Sequence, residues 1–397
     1  MPRIRITRSV ELPDPIRLAR CRRAPELGPR VLFFSGGTAL KPLSQELVSA
    51  THNSTHIITP FDSGGSSAII RKAFSMLAVG DLRNRLMALA DRSLKGNPEI
   101  FELFATRLPK EASPEELNEI LRLMIRGKHE LVACIPDPMR KLVRSHLGFF
   151  ANKMGEDFDL RGASVGNLIL AGGYFNYNRH IDPVIYLFSK LVEVRGTVRP
   201  VISKDLHLVA EMEDGSTVIG QHLLTGKEAP PISSPIAKLS LSKYPDRVEP
   251  VEPAIRDKVA KLIRKAELIC YPMGSFYTSL IANLLPKGVG TAVASTPCPK
   301  VYVPSSGVDP EQKGMSLFSS VRTLLDYLQQ GCNKETPRED LLNFILIDSK
   351  KGVYPQPLDL AKIKRYGVEV IDADLVTDAS APLLDENKVI DYLLSLT

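Results

Sequence analysis

The sequence has few cysteines, and they stand singly. Its 397 residues contain five thiols, with no Cys-x-x-Cys pair among them. Thiolate zinc sites and disulfide frameworks need closely spaced or paired cysteines, so we expect neither of them here. The pattern indicates a reduced protein of the cytosol, and we predict a cytoplasmic location. The five residues are Cys21, Cys134, Cys270, Cys298 and Cys332.

The sequence also lacks long apolar runs and the common catalytic motifs. No apolar segment approaches the length needed to cross a bilayer, so no membrane partner is expected. The Gly-x-Ser-x-Gly, His-Glu-x-x-His, P-loop and Gly-x-Gly-x-x-Gly motifs are absent. Their absence argues against a hydrolase, a zinc peptidase, a P-loop ATPase and a typical dehydrogenase. The seven histidines stand singly, and His207, on a predicted hairpin strand, is expected to face solvent.

Positive charge is concentrated at the amino terminus. Residues 1–30 hold eight arginines against three acids, which is +5 of the net charge of +6. A nucleic-acid-binding protein usually spreads its Lys and Arg over a folded face, so no nucleic-acid partner is predicted. We treat 1–30 as a basic N-terminal segment, in which residues 4–7 alternate as a surface or edge strand does.

Three small, hydroxyl-rich loops each follow a short apolar run. In an open parallel sheet, loops at the carboxyl ends of the strands share one crevice, where glycine and exposed N–H groups bind anions. Together the loops predict an α/β fold and a phosphate-bearing ligand of the nucleotide type. Any one of them alone reads equally well as an ordinary strand-to-helix turn. The loops contain Gly36, Gly37 and Thr38; Asp62, Ser63, Gly64, Gly65 and Ser66; and Gly274, Ser275, Tyr277 and Thr278.

Several polar residues near these loops are candidates for the same site. Asp62 could bind Mg²⁺, orient a ligand hydroxyl or cap the following helix. Asp81, Arg83 and Asn84 lie together at a predicted helix start, where Arg83 could clamp a phosphate and Asn84 could contact a base or a ribose. The alternative is a capped helix with solvated arginines. Asn167, on an apolar helix, is either a buried amide or a ligand contact. Tyr277 and Thr278 could hold a ribose or a phosphate, or could pack in the core.

The rest of the chain reads as one α/β domain over 31–397 with two additions. Residues from about 92 to 160 are charged and helical in period, and we interpret them as a helical insertion that covers the site. The period changes to two at about 195–225, where Asp214-Gly215 predicts a small β-hairpin element. The proline-rich stretch 229–253 reads as a linker-like return.

Six sequence blocks in order resemble the CofD/YvcK-like family, the 2-phospho-L-lactate transferase superfamily. The likeness extends from about Val31 to Val303, and the 92–160 insertion resembles the CofD-like branch of the GAK gene system. Departures are Ala39 for a glycine, Ser63 for the second of two acids, and Pro272-Met273 for Gly-Pro. The blocks are Gly36–Thr38, Asp62–Arg71, Gly80–Asn84, Gly166–Leu168, Arg195–Gly196 with the hairpin, and Gly274–Ser279 with Asn283–Leu285.

The resemblance implies a Rossmann-like, mostly parallel sheet with helices on both faces, a bound nucleotide or nucleotide sugar, and Mg²⁺ at Asp62. If the chain is an enzyme, it implies transfer of a phosphate-containing group from a nucleotide-activated donor to an acceptor hydroxyl. Asp62 would hold the metal or the acceptor hydroxyl, Arg83 would neutralise charge, and Asn84 and Asn167 would orient the ligand. The alternative is a non-catalytic, YvcK-like regulator that senses a UDP-sugar or a related nucleotide. A homodimer is plausible for such a fold.

Overall fold

The computed structural model describes residues 9–92, 97–332 and 336–397, and within these ranges ten strands form two sheets. The alternation of apolar strands with helices that the sequence shows is therefore realised as an α/β fold. The strands are β1 (Val31–Ser35), β2 (Thr55–Ile58), β3 (Thr197–Pro200), β4 (His207–Met212), β5 (Thr217–Ile219), β6 (Ile236–Ser242), β7 (Leu268–Tyr271), β8 (Lys300–Tyr302), β9 (Phe344–Ile347) and β10 (Glu369–Asp372).

The larger sheet has seven parallel strands in the order β10-β9-β8-β7-β1-β2-β3. Every residue of β1, β2 and β7 is buried, because helices cover both faces of the sheet. From β1, the strands β2 and β3 follow on one side, and β7, β8, β9 and β10 follow on the other. The order therefore reverses between β1 and β7, which is where an open α/β sheet places its ligand crevice. The predicted fold class is confirmed.

Helices flank this sheet and form most of the remaining structure. Helix starts follow the local signals of the sequence, as at Ser113, whose side chain accepts from the Glu116 N–H in a capping box. The helices are α1 (Pro15–Arg23), α2 (Lys41–Leu47), α3 (Gly65–Phe74), α4 (Gly80–Ala88), α5 (Pro98–Ala105), α6 (Pro114–Arg126), α7 (Glu130–Ala133), α8 (Met139–Lys153), α9 (Val165–Asn176), α10 (Ile181–Leu191), α11 (Asp257–Arg264), α12 (Ala282–Leu284), α13 (Val289–Ala294), α14 (Leu317–Gln330), α15 (Leu360–Arg365) and α16 (Glu386–Ser395).

The smaller sheet is antiparallel and has the order β5-β4-β6. The predicted Asp-Gly turn joins β4 to β5, with Gly215 at a positive φ of 84°. The reading of 229–253 as a linker-like return was wrong, because β6 lies inside it and pairs with β4. The prolines flank this strand instead of interrupting it, so they do not remove donors from its ladder.

The expectation that His207 faces solvent was also wrong. Its side chain is only 12% exposed, and its Nδ1 lies 3.3 Å from the Arg71 guanidinium. Burial and that positive charge lower the pKa of His207. The period of two correctly placed the residue on β4, but it could not show that α3 packs over that end of the strand.

The first and last helices of the described chain, α1 and α16, pack on one side of the sheet. Leu18 and Cys21 of α1 are buried in a cluster that includes α16, and the Asp14 N–H donates to Ser395 Oγ at 2.8 Å. The basic segment is thus folded onto the domain from Asp14 onward. The strand expected at residues 4–7 lies outside the described residues. In the described ranges, no helix combines the length and apolar character of a membrane span.

The helices from α5 to α8 pack with α9 and α10 around a second core. Gly172 of α9 lies directly against the backbone of α8, so an added Cβ would overlap the His146 carbonyl oxygen. A Cβ added at Gly148, on α8 itself, would lie 3.9 Å from the Ile125 side chain, which is ordinary contact. The two glycines therefore differ in whether a methyl group fits.

We expect Gly172→Ala to lower the free energy of unfolding by about 2 kcal/mol, because two backbones must separate. The matched change Gly148→Ala should leave stability unchanged or raise it by up to about 1 kcal/mol, since alanine favours a helix. Urea denaturation of both variants measures the difference. Equal effects would contradict the close approach of α8 and α9.

Candidate functional site

A cavity of about 260 Å³ lies at the carboxyl ends of β2, β1 and β7, beside the point where the strand order reverses. All three predicted loops reach it. Most of the predicted site residues line it, which brings together segments more than 200 positions apart in the chain. Those residues are Gly36, Gly37, Thr38, Asp62, Gly64, Gly65, Ser66, Asp81, Arg83, Asn84, Asn167, Gly274 and Ser275.

Arg85, whose side chain has no exposed surface, fixes the loop after β1. Its Nη2 donates to the carbonyl oxygens of Gly36 at 2.9 Å and Gly37 at 3.3 Å. Its Nη1 donates to the Leu40 carbonyl oxygen at 2.8 Å and to Ser44 Oγ. These charge-assisted bonds fix the loop carbonyls on the protein side of the loop.

Asp81, in the first turn of α4, lies against this loop. A Cβ at Gly37 would overlap the Asp81 carboxyl, and one at Gly36 would overlap the side chain of Ser279. A side chain at either position would therefore displace Ser279 or Asp81 from its place in the cavity. Burial, and next the negative charge of Asp62, raise the pKa of Asp81 to about 7. The two carboxyls repel one another, and the burial of Asp81 limits how far water screens this repulsion.

The loop after β2 leads into α3, whose first turn has no side-chain cap. Asp62 Oδ1 accepts from the Gly64 N–H at 3.1 Å, outside the helix. The free N–H groups of the first turn consequently remain available to an anion. Asn167 is 2% exposed and donates to Ser66 Oγ at 2.9 Å, while its Oδ1 has no partner among the described residues. A buried amide oxygen without a donor suggests that a ligand completes this wall.

Two arginines lie on the side of the cavity formed by α4 and the helical region. Arg83 donates to Asn84 Oδ1 at 2.7 Å and to Ser164 Oγ. Burial, and next the charge of Arg107, lower the pKa of Arg83 to about 10. The two guanidiniums therefore repel one another, and an anion bound between them would reduce this repulsion. Among the described residues of the stretch 92–160, only Arg107 lines the cavity.

The third loop is different, because acidic side chains already occupy its N–H groups. After β7 the chain begins a π-helical turn at Phe276. Asp309 Oδ2 accepts from the Phe276 N–H at 2.7 Å, and Glu311 Oε2 accepts from those of Tyr277 and Thr278 at 2.8 Å. Burial, with Asp309 next, raises the pKa of Glu311 to about 7. This helix start therefore cannot offer its donors to a phosphate.

Two of the predicted ligand residues consequently lie away from the cavity. Tyr277 packs in the core, and its hydroxyl donates to the Ile236 carbonyl oxygen at 3.2 Å. Thr278 Oγ1 donates to Glu311 at 2.6 Å. Only Gly274 and Ser275 of the predicted residues in this loop line the cavity.

Ser63 also turns away from the cavity. Its Oγ lies 2.8 Å from His222 Nδ1 and accepts from the His222 N–H at 3.2 Å. This ties the loop after β2 to the segment after β5, which covers one side of the cavity with Gln221, Lys227 and Glu228.

The two carboxyls, Asp62 and Asp81, form the part of the cavity that fits a magnesium ion. Mg²⁺ is typically held by one or two carboxylates, with waters and substrate phosphates completing its shell. A dication here would relieve the repulsion that raises the pKa of Asp81. Among the residues that the structure describes, no group of three or more His, Cys, Asp or Glu forms a metal cluster. Ligand phosphates would have to supply the remaining oxygens.

Sequence reasoning missed five residues that shape this site. Arg85 was seen only as part of a charged segment, and Glu311 follows a loop with no glycine-rich signal. Arg107 comes from the region interpreted as an insertion, and Lys227 and Glu228 lie between the predicted hairpin element and the stretch 229–253, where no site residue was predicted. Their only sequence signal was charge, which solvated surface residues share.

Replacing Asp81 by asparagine tests the electrostatics of the carboxyl pair. A carboxyl whose pKa is raised by folding stabilises the protein fully below its unfolded pKa of 3.8, and this contribution is lost as the pH rises to about 7. We expect Asp81→Asn to reduce the fall in the free energy of unfolding between about pH 4.5 and about pH 7.5 by on the order of 3 kcal/mol. Urea denaturation at both pH values measures this change.

The matched control is Asp378→Asn, at an exposed carboxyl that does not line the cavity. It should keep the wild-type pH dependence. An Asp81→Asn variant that titrates like the control would show that the carboxyl is not raised by burial and by Asp62.

Comparison with known proteins supports one family. A family model described as "2-phospho-L-lactate transferase CofD" matches residues 31–376. The chain is 28% identical over 378 residues to the "Gluconeogenesis factor" of Bacillus subtilis, covering 93% of this chain and 98% of that one. It is 27% identical over 381 residues to the protein of the same name from Listeria monocytogenes, covering 94% and 96%.

A solved structure shares the fold as well. It is a member of the UPF0052 family from Bacillus halodurans, with a TM-score of 0.64 and 25% identity, covering 92% of this chain and 99% of that one. The family model spans β1 through the segment that follows β10, and so contains every residue of the cavity described above. The chain belongs to the CofD family.

Proposed function

We propose that the chain binds a phosphorylated ligand of the nucleotide or nucleotide-sugar class in the cavity at β2, β1 and β7. The observation that carries the proposal is the uncapped start of α3 facing the same cavity as Arg83 and Arg107. N–H groups at a helix start and paired guanidiniums are both donors to phosphate oxygens. The unpartnered Oδ1 of Asn167 beside them is an acceptor for a ligand N–H or hydroxyl.

Mg²⁺ belongs to the same proposal. Asp62 and Asp81 would hold it, and it would supply charge neutralisation to the ligand phosphates. Asp81 extends from α4 toward the loop after β1, near Asp62, whereas Arg83 extends from the same helix toward Ser164 and is close enough to Arg107 for their charges to interact. A ligand whose charge is spread along a chain of phosphates matches such a divided cavity.

The activity that we propose is transfer of a phosphate-containing group from a nucleotide-activated donor to an acceptor hydroxyl. Transfer of this kind depends mainly on positioning and on stabilising developing charge. The cavity offers both: donors on fixed backbone loops, and an arginine, Arg83, whose side chain is held by Ser164 and Asn84. Its described lining includes no cysteine.

A regulator that binds the ligand without turnover is the second candidate. Relatives that align with over nine-tenths of the chain are named gluconeogenesis factor rather than transferase. The hairpin of the small antiparallel sheet, which precedes the segment that covers one side of the cavity, is the part that resembles the regulatory branch. A regulator would use the same phosphate site and would release its ligand unchanged.

A thermal-shift screen with product analysis separates these candidates. The purified chain is titrated with GDP, GTP, UDP, UDP-sugars and ATP, each with and without Mg²⁺, because a ligand that binds the folded state raises the melting temperature. A Mg²⁺-dependent shift followed by a new product supports the transferase. A shift with the ligand recovered intact supports the regulator. No shift with any of these ligands contradicts the proposed site.

Arg83→Gln should weaken binding of the best ligand at least tenfold, because a charge-assisted bond to phosphate contributes about 1.5–3 kcal/mol. Isothermal titration calorimetry measures the change. Arg122→Gln, at an exposed arginine on α6, is the control and should bind like the wild type. Equal affinity of Arg83→Gln and the control would show that Arg83 does not contact the phosphate.

A further inference from the structure

A second cavity, of about 700 Å³, lies on the other side of the Ser63–His222 contact. It is formed between α3 and the small antiparallel sheet. Its volume lies within the range of small-molecule sites. His222 lines both cavities, so the two are separated by little more than one hydrogen-bonded pair of side chains.

The walls of the second cavity are largely apolar. Ala68 of α3 faces Ile219 at the end of β5, and Tyr244 with Pro245 closes the side beyond β6. The ring of Tyr244 is fixed by Arg247, whose guanidinium carbon lies 3.8 Å from the ring centroid. A ligand with an apolar body would find fixed contacts here.

The charges around the cavity are unequal. The one acid among its lining residues, Asp205, is already bound by the buried Arg71, with Nη2 to Oδ1 at 2.6 Å and Nε to Oδ1 at 3.1 Å. Lys72 and Lys243 come from opposite sides and have no other acid among the described lining residues to neutralise them. Lys243 has its ion pair outside, with Glu249 at 3.6 Å. Over the described lining residues, three cations therefore stand against one acid, beside apolar side chains.

We propose that this cavity is a second ligand site, for a small organic anion with an apolar body. The apolar walls bind the body, and Lys72 and Lys243 bind the anionic group. The site does not require that the first cavity bind a nucleotide, so the two proposals stand or fall separately. Since both cavities share His222, occupancy of one can change the affinity of the other.

The test uses 8-anilinonaphthalene-1-sulfonate, a fluorescent aromatic sulfonate of this chemical class, as the probe on the full chain. We expect saturable emission from one site. Combined Lys72→Glu and Lys243→Glu changes should weaken binding at least tenfold. The matched control Lys265→Glu, at an exposed lysine next to the end of α11, should bind like the wild type.

A second variant fills the cavity. Ala68→Trp should abolish probe binding, and because the chain contains no other tryptophan, blue-shifted emission of the introduced indole shows that it occupies the cavity. A cooperative melt confirms that the variant is folded. The proposal is overturned if the two lysine changes leave the affinity for the probe unchanged. It is also overturned if the probe still binds when the introduced indole is buried in the cavity. Nucleotide thermal shifts on the same variants report separately on the first cavity.

Discussion

The candidate site depends on one buried cation. Arg85 has no exposed surface and binds the carbonyl oxygens of Gly36 and Gly37. A buried guanidinium is costly unless its donors are satisfied. Here four oxygens of the loop after β1 and of α2 accept from its two terminal nitrogens, while its Nε has no partner among the described residues. The loop is thereby fixed at the central strand of the sheet, and the neighbouring strands deliver their own loops beside it. Asn283 adds a second tie, because its Nδ2 donates to the Ser35 carbonyl oxygen at 3.0 Å.

The distribution of charge follows from this arrangement. With the first loop fixed, α4 places Asp81 against it and next to Asp62, and carries Arg83 to the opposite side. The helix starts then divide into two kinds. That of α3 is open, whereas Asp309 and Glu311 bind the N–H groups of the π-helical turn. We therefore assign the proposed phosphate binding to the loops after β1 and β2, and the third loop forms a wall of the cavity.

Local signals in the sequence predicted much of this fold. Apolar runs followed by glycine identified β1, β2 and β7 with their loops, and the Asp-Gly turn identified the hairpin, because each depends on residues adjacent in the chain. The parts that were missed depend on pairing across the chain. Nothing near residue 311 shows that its carboxyl binds the turn at 277, and nothing near Ser63 shows that His222 will hold its hydroxyl. The strand β6 was hidden because prolines flank it on both sides.

The binding of a phosphorylated ligand with a divalent cation is tested most directly by crystallography. Crystals grown with Mn²⁺ and GDP, or with whichever nucleotide gives the largest thermal shift, would be measured at a wavelength where manganese scatters anomalously. We predict an anomalous peak between the Asp62 and Asp81 carboxylates, and phosphate density at the start of α3 within reach of Arg83. Phosphate density at any other surface of the chain, or a manganese peak away from these two acids, would contradict the account.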